Sequence, residues 1–226
     1  MTLKFDPALI PPKPTLDFEL PLWNTGTNLI AGIDEAGRGP LAGPVSSAAI
    51  ILPEDISLCE KLYGVRDSKQ MTPADREYWA DFLKSEAISF GIGFASPDEI
   101  DLLGIIPATL LAVQRALAVM PVNPQHLLLD YLHLPDVRIP QTSIIKGDAR
   151  CLSVAAASIL AKTARDALMR EMEGCYPGYG FARHKGYATQ QHLEALEKLG
   201  PCPIHRYSFS PLRQASDGSQ PSENAS

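Results

Sequence analysis

The 226-residue sequence contains no run of roughly 20 uninterrupted apolar residues, the length a membrane-spanning helix requires, so no such span is expected. Its first residues, MTLKFDPALIPPKP, lack the basic start, apolar stretch and small-residue cleavage site of a secretory leader, and a soluble, cytoplasmic protein is expected. Cysteine is scarce. Cys59, Cys151, Cys175 and Cys202 form no CxxC pair and no ligand-like spacing, which argues against a zinc site or a disulfide framework. No GxSxG elbow offers a serine nucleophile, and the glycine-rich GRGPLAG lacks the GK[ST] ending of a nucleoside-triphosphate loop. Positive charge is also in deficit. The net charge of −6 argues at first against a nucleic-acid partner, whose phosphates are bound by Lys and Arg. The deficit is local, however: residues 1–145 carry 10 Lys+Arg against 18 Asp+Glu, whereas residues 146–213 carry 10 against 6. A basic segment of this kind reads either as a phosphate-binding surface or as a solvated face.

Length and a 45% hydrophobic content provide for one substantial core. Residues 1–25, with Pro7, Pro11, Pro12 and Pro14, read as an irregular lead-in outside that core, residues 26–213 as the single domain, and residues 214–226 as a disordered tail. Apolar runs over 28–33 and 45–52 predict strands joined by GRGPLAG. Further strands are predicted over 88–95, 127–129 and 143–145. Thr72-Pro73 and the capping box Ser96-Pro97-Asp98-Glu99 open predicted helices over 73–86 and 97–119. The alanine-rich stretch from Leu152 to about Glu173 predicts one long helix, and 189–199 a shorter one closed by Gly200-Pro201. Strands gathered early and crossed by helices predict an α/β fold with a mixed sheet.

Four acids stand where apolar strands end. Asp34 and Glu35 close the first run, Asp130 ends LLLD, and Asp148 follows TSIIKG. Each aspartate alone reads as a turn-former that bonds its own backbone. Together they read as a hard-metal site, because neighbouring carboxylates raise one another's pKa unless a cation lies between them, and Mg²⁺ or Mn²⁺ takes oxygen ligands. Such a cluster suits phosphodiester hydrolysis by two metal ions. The adjacent Gly37, Arg38 and Gly39 read either as a tight turn or as backbone free to approach a sugar or phosphate. Asp166, in TARD, is expected to pair with a nearby arginine such as Arg165 or Arg170 rather than with metal. His184 and His205 are read as phosphate contacts or helix-end bonds and left out of the catalytic set.

The segments AGIDEAGRGPLAGPV, VRDSKQMTPADRE, IIKGDAR with SVAAASILAKTARD, and YGFARHKGYATQQHLEALEKLGPCPIHRYSF resemble, in order and spacing, the motifs of the bacterial ribonuclease HII family, the type 2 ribonucleases H. The likeness spans about residues 28–213. It implies a ribonuclease H-like fold, a mixed β-sheet flanked by helices, with a helical C-terminal extension that helps hold the duplex. It also implies that Asp34, Glu35, Asp130 and Asp148 are both the metal ligands and the catalytic residues, holding two Mn²⁺ or Mg²⁺ ions with substrate. By the same resemblance the backbone of Gly37, Arg38 and Gly39 reads the ribose 2′-OH, the atom that separates RNA from DNA, and Tyr187 of HKGY stacks on the neighbouring sugar. Lys69 in DSK and Lys146 in KGD are candidate phosphate contacts, though exposed lysines are often simply solvated. One departure stands out: where many family members have glycine after the third acid, this chain has Tyr131.

The resemblance implies an endonuclease that hydrolyses the RNA strand of RNA/DNA hybrids and nicks 5′ of single ribonucleotides embedded in duplex DNA. The ends left would be 3′-OH and 5′-phosphate, and the role would be removal of ribonucleotides from DNA. The related type 3 enzymes carry an extra N-terminal substrate-binding domain, for which about 25 residues ahead of the first strand are too few. A DNA strand-transfer enzyme should show a more basic chain and a separate DNA-binding domain. A non-catalytic hybrid-binding module of the same fold should have lost one of the four acids. The tail shows no clamp-binding motif, so no replication partner is expected; a monomer without membrane association is expected as well.

Overall fold

The computed structural model describes residues 5–213, so the expected disordered tail at 214–226 lies outside the described residues. Five strands form one sheet: β1 (Ile30–Ala36), β2 (Val45–Ile51), β3 (Ser89–Ala95), β4 (His126–Asp130) and β5 (Gln141–Ile144), in the order β3-β2-β1-β4-β5. β2 pairs antiparallel with both β1 and β3, whereas β4 pairs parallel with both β1 and β5, so the sheet is mixed as expected. Nine helices are found among the described residues. They are α1 (Glu19–Trp23), α2 (Leu58–Lys61), α3 (Pro73–Glu86), α4 (Pro97–Leu103), α5 (Ile105–Ala118), α6 (Gly147–Arg150), α7 (Leu152–Cys175), α8 (Phe181–His184) and α9 (Gln190–Leu199).

Strand alternation divides the core between the two faces of the sheet. Ile30 and Leu128 pack toward α3 and α7, whereas Ala31, Ile33, Leu127 and Leu129 pack toward α5. Helix α7 reaches the sheet because β1 carries no side chain where they touch. A Cβ on Gly32 would lie 2.1 Å from the Ser153 carbonyl carbon, so only glycine admits the helix this closely.

Three expectations differ from the fold. The helix expected over 97–119 is two helices, because Gly104 adopts φ +85, ends α4 with a bond from its N–H to the Ile100 carbonyl, and opens α5. The first strand does not stop ahead of the acid pair but continues to Ala36, since β2 pairs with it through Ala36↔Ser46. The third difference lies in the lead-in, which is not outside the core at residues 15–23. Leu16 and Trp23 are buried in the main cluster, and Thr15 bridges to Cys151. The buried Glu19 carboxylate accepts from the Ser153 N–H at 2.9 Å and the Ser153 hydroxyl at 2.7 Å. It thereby caps α7, whose own N-cap, Cys151, makes no side-chain capping bond.

Candidate active site

Parallel pairing brings the first and third acids to the same end of the sheet. Ile33 is in register with Leu129, so Asp34 and Asp130, one residue further along each strand, stand at the same end of the sheet. By alternation both belong to the side facing α7, with Gly32 and Leu128. Asp148 enters from α6, which is tied to β4 by a 2.8 Å bond from the Gly147 N–H to Asp130 Oδ1. Glu35 follows Asp34 on β1.

The structure therefore gathers all four predicted acids. Asp34 is only 4% exposed, and burial, followed by the charges of Glu35, Asp130 and Asp148, lifts its carboxyl well above the usual range. Burial and the neighbouring Asp148 push Asp130 up to about 6. Each acid meets a local donor: the Glu35 N–H at 2.7 Å from Asp34 Oδ1, Arg38 at 3.0 Å from Glu35 Oε1, and Lys69 at 3.4 Å from Asp148 Oδ2. Glu35 Oε2 is buried with no hydrogen-bond partner among the described residues. No group of three or more His, Cys, Asp or Glu among the described residues is drawn into a coordination sphere. The orphaned oxygen, the raised carboxyls and the all-oxygen donor set fit a divalent hard cation.

Beside the acids lies a cleft of about 220 Å³ lined by Glu35, Gly37, Arg38, Gly39, Ser68, Lys69, Lys162 and Tyr187. Five of the six predicted substrate-binding residues thus share one wall. The sixth, Lys146, is exposed in the left-handed turn (φ 59) ahead of α6 and does not line this cleft. Tyr187 is 43% exposed and faces the glycine loop, such that a Cβ on Gly39 would lie 4.0 Å from its Cε1. Tyr131 adopts φ 53 and is 74% exposed. That backbone region favours glycine, so a tyrosine here carries backbone strain.

Lys162 and Ser68 were not singled out from the sequence. Lys162 sits 6.0 Å above the Tyr187 ring and bonds Asp166 at 2.6 Å. Its signal was the spacing of Ser158, Lys162 and Asp166 at four-residue intervals on one face of α7. Asp166 does pair with an arginine, though with neither of the two named from the sequence. Asp166 pairs with Lys162 and, at 3.2 Å, with Arg76 of α3, while Arg170 reaches Glu77 at 2.8 Å. Arg165 turns the other way, to backbone carbonyls.

The histidines are internal. His184, His192 and His205 are buried around Phe181, with the His184 and His192 rings stacked at 4.5 Å. His184 and His205 are therefore not phosphate contacts, one of the two readings the sequence offered for them.

A mixed sheet with acids at the shared end of two neighbouring parallel strands, backed by one long helix, has the architecture of the ribonuclease H-like class of hydrolases. The family profile for ribonuclease HII matches residues 31–211. A ribonuclease HII of Anaeromyxobacter sp. (strain Fw109-5) is 51% identical over 200 residues, covering 88% of this chain and 62% of that protein. One of Dehalococcoides mccartyi is 50% identical over 196 residues, covering 87% and 92%. The crystal structure of ribonuclease H2 from Pyrococcus horikoshii OT3 superposes with a TM-score of 0.66 at 28% identity, over 83% of this chain and 97% of that one. The chain belongs to the ribonuclease HII family, and it is a ribonuclease H-type endoribonuclease.

No helix among the described residues is long and apolar enough to cross a membrane.

Proposed function

We propose that the chain is a metal-dependent endonuclease that nicks on the 5′ side of a ribonucleotide in duplex with DNA, leaving 3′-OH and 5′-phosphate ends. It would act on the RNA strand of hybrids and on single embedded ribonucleotides, and so serve in removing ribonucleotides from DNA. The observation that carries this reading is the burial of Asp34 among three further carboxylates, directly beside a glycine loop that faces an aromatic ring.

Asp34, Glu35, Asp130 and Asp148 would hold two Mg²⁺ or Mn²⁺ ions, hard cations suited to an all-carboxylate donor set. Bound there, such ions supply activation of the attacking water and stabilisation of the leaving 3′ oxygen. Lys69 and Arg38, each already paired to an acid of the cluster, can exchange that carboxylate for a substrate phosphate. Gly37 and Gly39 let backbone approach the sugar closely, and Tyr187 offers a flat apolar face where the next sugar would lie. Lys146, outside the cleft, would meet phosphate further along the duplex.

An end-labelled DNA duplex with one ribonucleotide tests this, incubated with Mg²⁺, Mn²⁺ or EDTA beside an all-DNA duplex. A metal-dependent nick 5′ of the ribonucleotide, absent from all-DNA, is expected. Tight binding to the ribonucleotide duplex with no cutting in either metal would replace the reading with that of a hybrid-binding module.

A further inference from the structure

Two arginines behind the cleft touch no carboxylate among the described residues; Asp166 and Asp101 act on them only at a distance. Arg165 of α7 and Arg206 are both fully buried, and neither forms an ion pair among the described residues. Their bonds end instead on backbone carbonyls. Arg206 donates to the carbonyls of Gly37 (2.6 Å), Arg38 (3.0 Å) and Gly43 (2.9 Å). Arg165 donates to those of Pro44 (2.8 Å), Ala42 (3.0 Å) and Lys185 (3.0 Å). A buried guanidinium without a counter-ion is costly, and an apolar side chain would serve packing better. What it provides is a planar fork that fixes several carbonyls at once.

That geometry has a directional consequence. In a trans peptide the carbonyl and the following N–H point opposite ways. With the Gly37 and Arg38 carbonyls turned inward to Arg206, the N–H groups of Arg38 and Gly39 are turned away from it, toward the cleft that these residues line. Arg165 meanwhile ties the far end of the same loop to Lys185, two residues before Tyr187. The two segments also touch directly: the Leu41 N–H bonds the Gly186 carbonyl at 2.8 Å, and a Cβ on Gly186 would lie 2.4 Å from the Ala42 oxygen. Gly37 leaves room for this, since a Cβ there would fall 2.0 Å from Arg165 Nε.

We propose that Arg206 and Arg165 are positioning residues for sugar discrimination: Arg206 aims the loop's N–H groups at the ribose 2′ position, and Arg165 sets the gap between that loop and the Tyr187 ring. The inference rests on the sugar-reading role proposed above for the loop and Tyr187.

The test compares, within one preparation, kcat/KM for nicking at a ribonucleotide and at its 2′-deoxy-2′-fluoro analogue in the same duplex. Because this ratio does not depend on the fraction of protein that is folded, a purely structural lesion leaves it unmoved. Arg206→Lys and Arg165→Lys keep the charge but lose the fork. Each is expected to lower the ratio about 10- to 100-fold, the worth of one charged hydrogen bond, chiefly through kcat. Divalent-ion affinity should remain at the wild-type level. Leu83→Ala, a core truncation on α3, should lose stability and keep the ratio. An unchanged ratio in both lysine variants, or failure of both to fold, would overturn the inference in favour of simple scaffolding. Absence of any nick by the wild-type chain would instead remove the proposed function, and the inference with it; that result is read before any variant is made.

Discussion

His192 Nε2 and His205 Nε2 lie 3.0 Å apart inside the C-terminal segment, and only one of them can carry a proton. His192 Nδ1 faces the Tyr187 carbonyl at 2.9 Å and must donate to it, so its Nε2 accepts from His205, whose Nδ1 in turn accepts from the Cys202 N–H at 2.9 Å. The chain of bonds works with both rings neutral. Burial lowers the pKa of His192, and pushes that of His205 down to about 4. A folded pKa below the unfolded 6.5 means that the unfolded chain binds more protons between these values. Stability is therefore fully present above about pH 6.5 and is lost as pH falls toward 4, with a slope of up to about 1.4 kcal/mol per pH unit for one proton. Urea melts across that range should show the slope in the wild type and a flatter one in His205→Gln. An equal slope in both would contradict the assignment.

The carboxylates act in the opposite sense. Asp130, raised to about 6 from 3.8, costs the metal-free fold stability when ionised, and that cost is relieved as pH falls through 6. Removing one of the crowded charges should help. Asp34→Asn is expected to raise the Tm of EDTA-treated protein at pH 7.5 by roughly 2–10 °C, about 1–3 kcal/mol for a chain of this size. The gain should shrink at pH 4.5. Calorimetry showing an unchanged or lower Tm would mean that the four acids do not repel one another in the free protein.

Glu19 holds the start of α7 from 134 residues away, and only its Oε1 is bonded. Burial raises its pKa, so an amide is a close substitute. Glu19→Gln should keep the cap and cost little, whereas Glu19→Ala leaves the Ser153 N–H without its acceptor and should cost about 1–3 kcal/mol in denaturant melts. Equal losses in the two variants would show that packing, not capping, is what Glu19 contributes.

Gly32→Ala should cost at least about 2 kcal/mol, because the new methyl would meet helix backbone rather than a movable side chain. A variant melting within one degree of wild type would mean that α7 can shift off β1 freely.

Much of this site was legible before the fold was known, because it lies where strand patterns stop. Asp34 and Asp130 end apolar runs, and an acid after buried residues is conspicuous at any register. The loop glycines and Tyr187 sit in motifs with a family resemblance. What the sequence hid was lateral. Arg165 and Asp166 are neighbours in the chain, yet point about 100° apart on α7, one to carbonyls of the glycine loop and the other to Arg76. Arg206 has no acid beside it in sequence, and the acid nearest in space, Asp101, comes from a distant segment, so no charge pattern announces it. Glu19 lies in a proline-rich lead-in that composition reads as irregular, and its partner Ser153 is on the far side of the domain in sequence. Gly104 was an isolated glycine in a helical pattern, and only its positive φ shows that it divides the helix.

The most direct test of the account is single-turnover nicking of a duplex with one ribonucleotide by four variants in turn: Asp34→Asn, Glu35→Gln, Asp130→Asn and Asp148→Asn. Asp55→Asn, a surface change beside Lys61, is the control. If the four acids form one metal-holding unit, each of the first four variants should cut at least about 1,000-fold more slowly while still binding the duplex, and the control should cut at the wild-type rate. Near-wild-type cutting by any of the four, in a folded protein at saturating Mg²⁺ or Mn²⁺, would contradict the site as drawn.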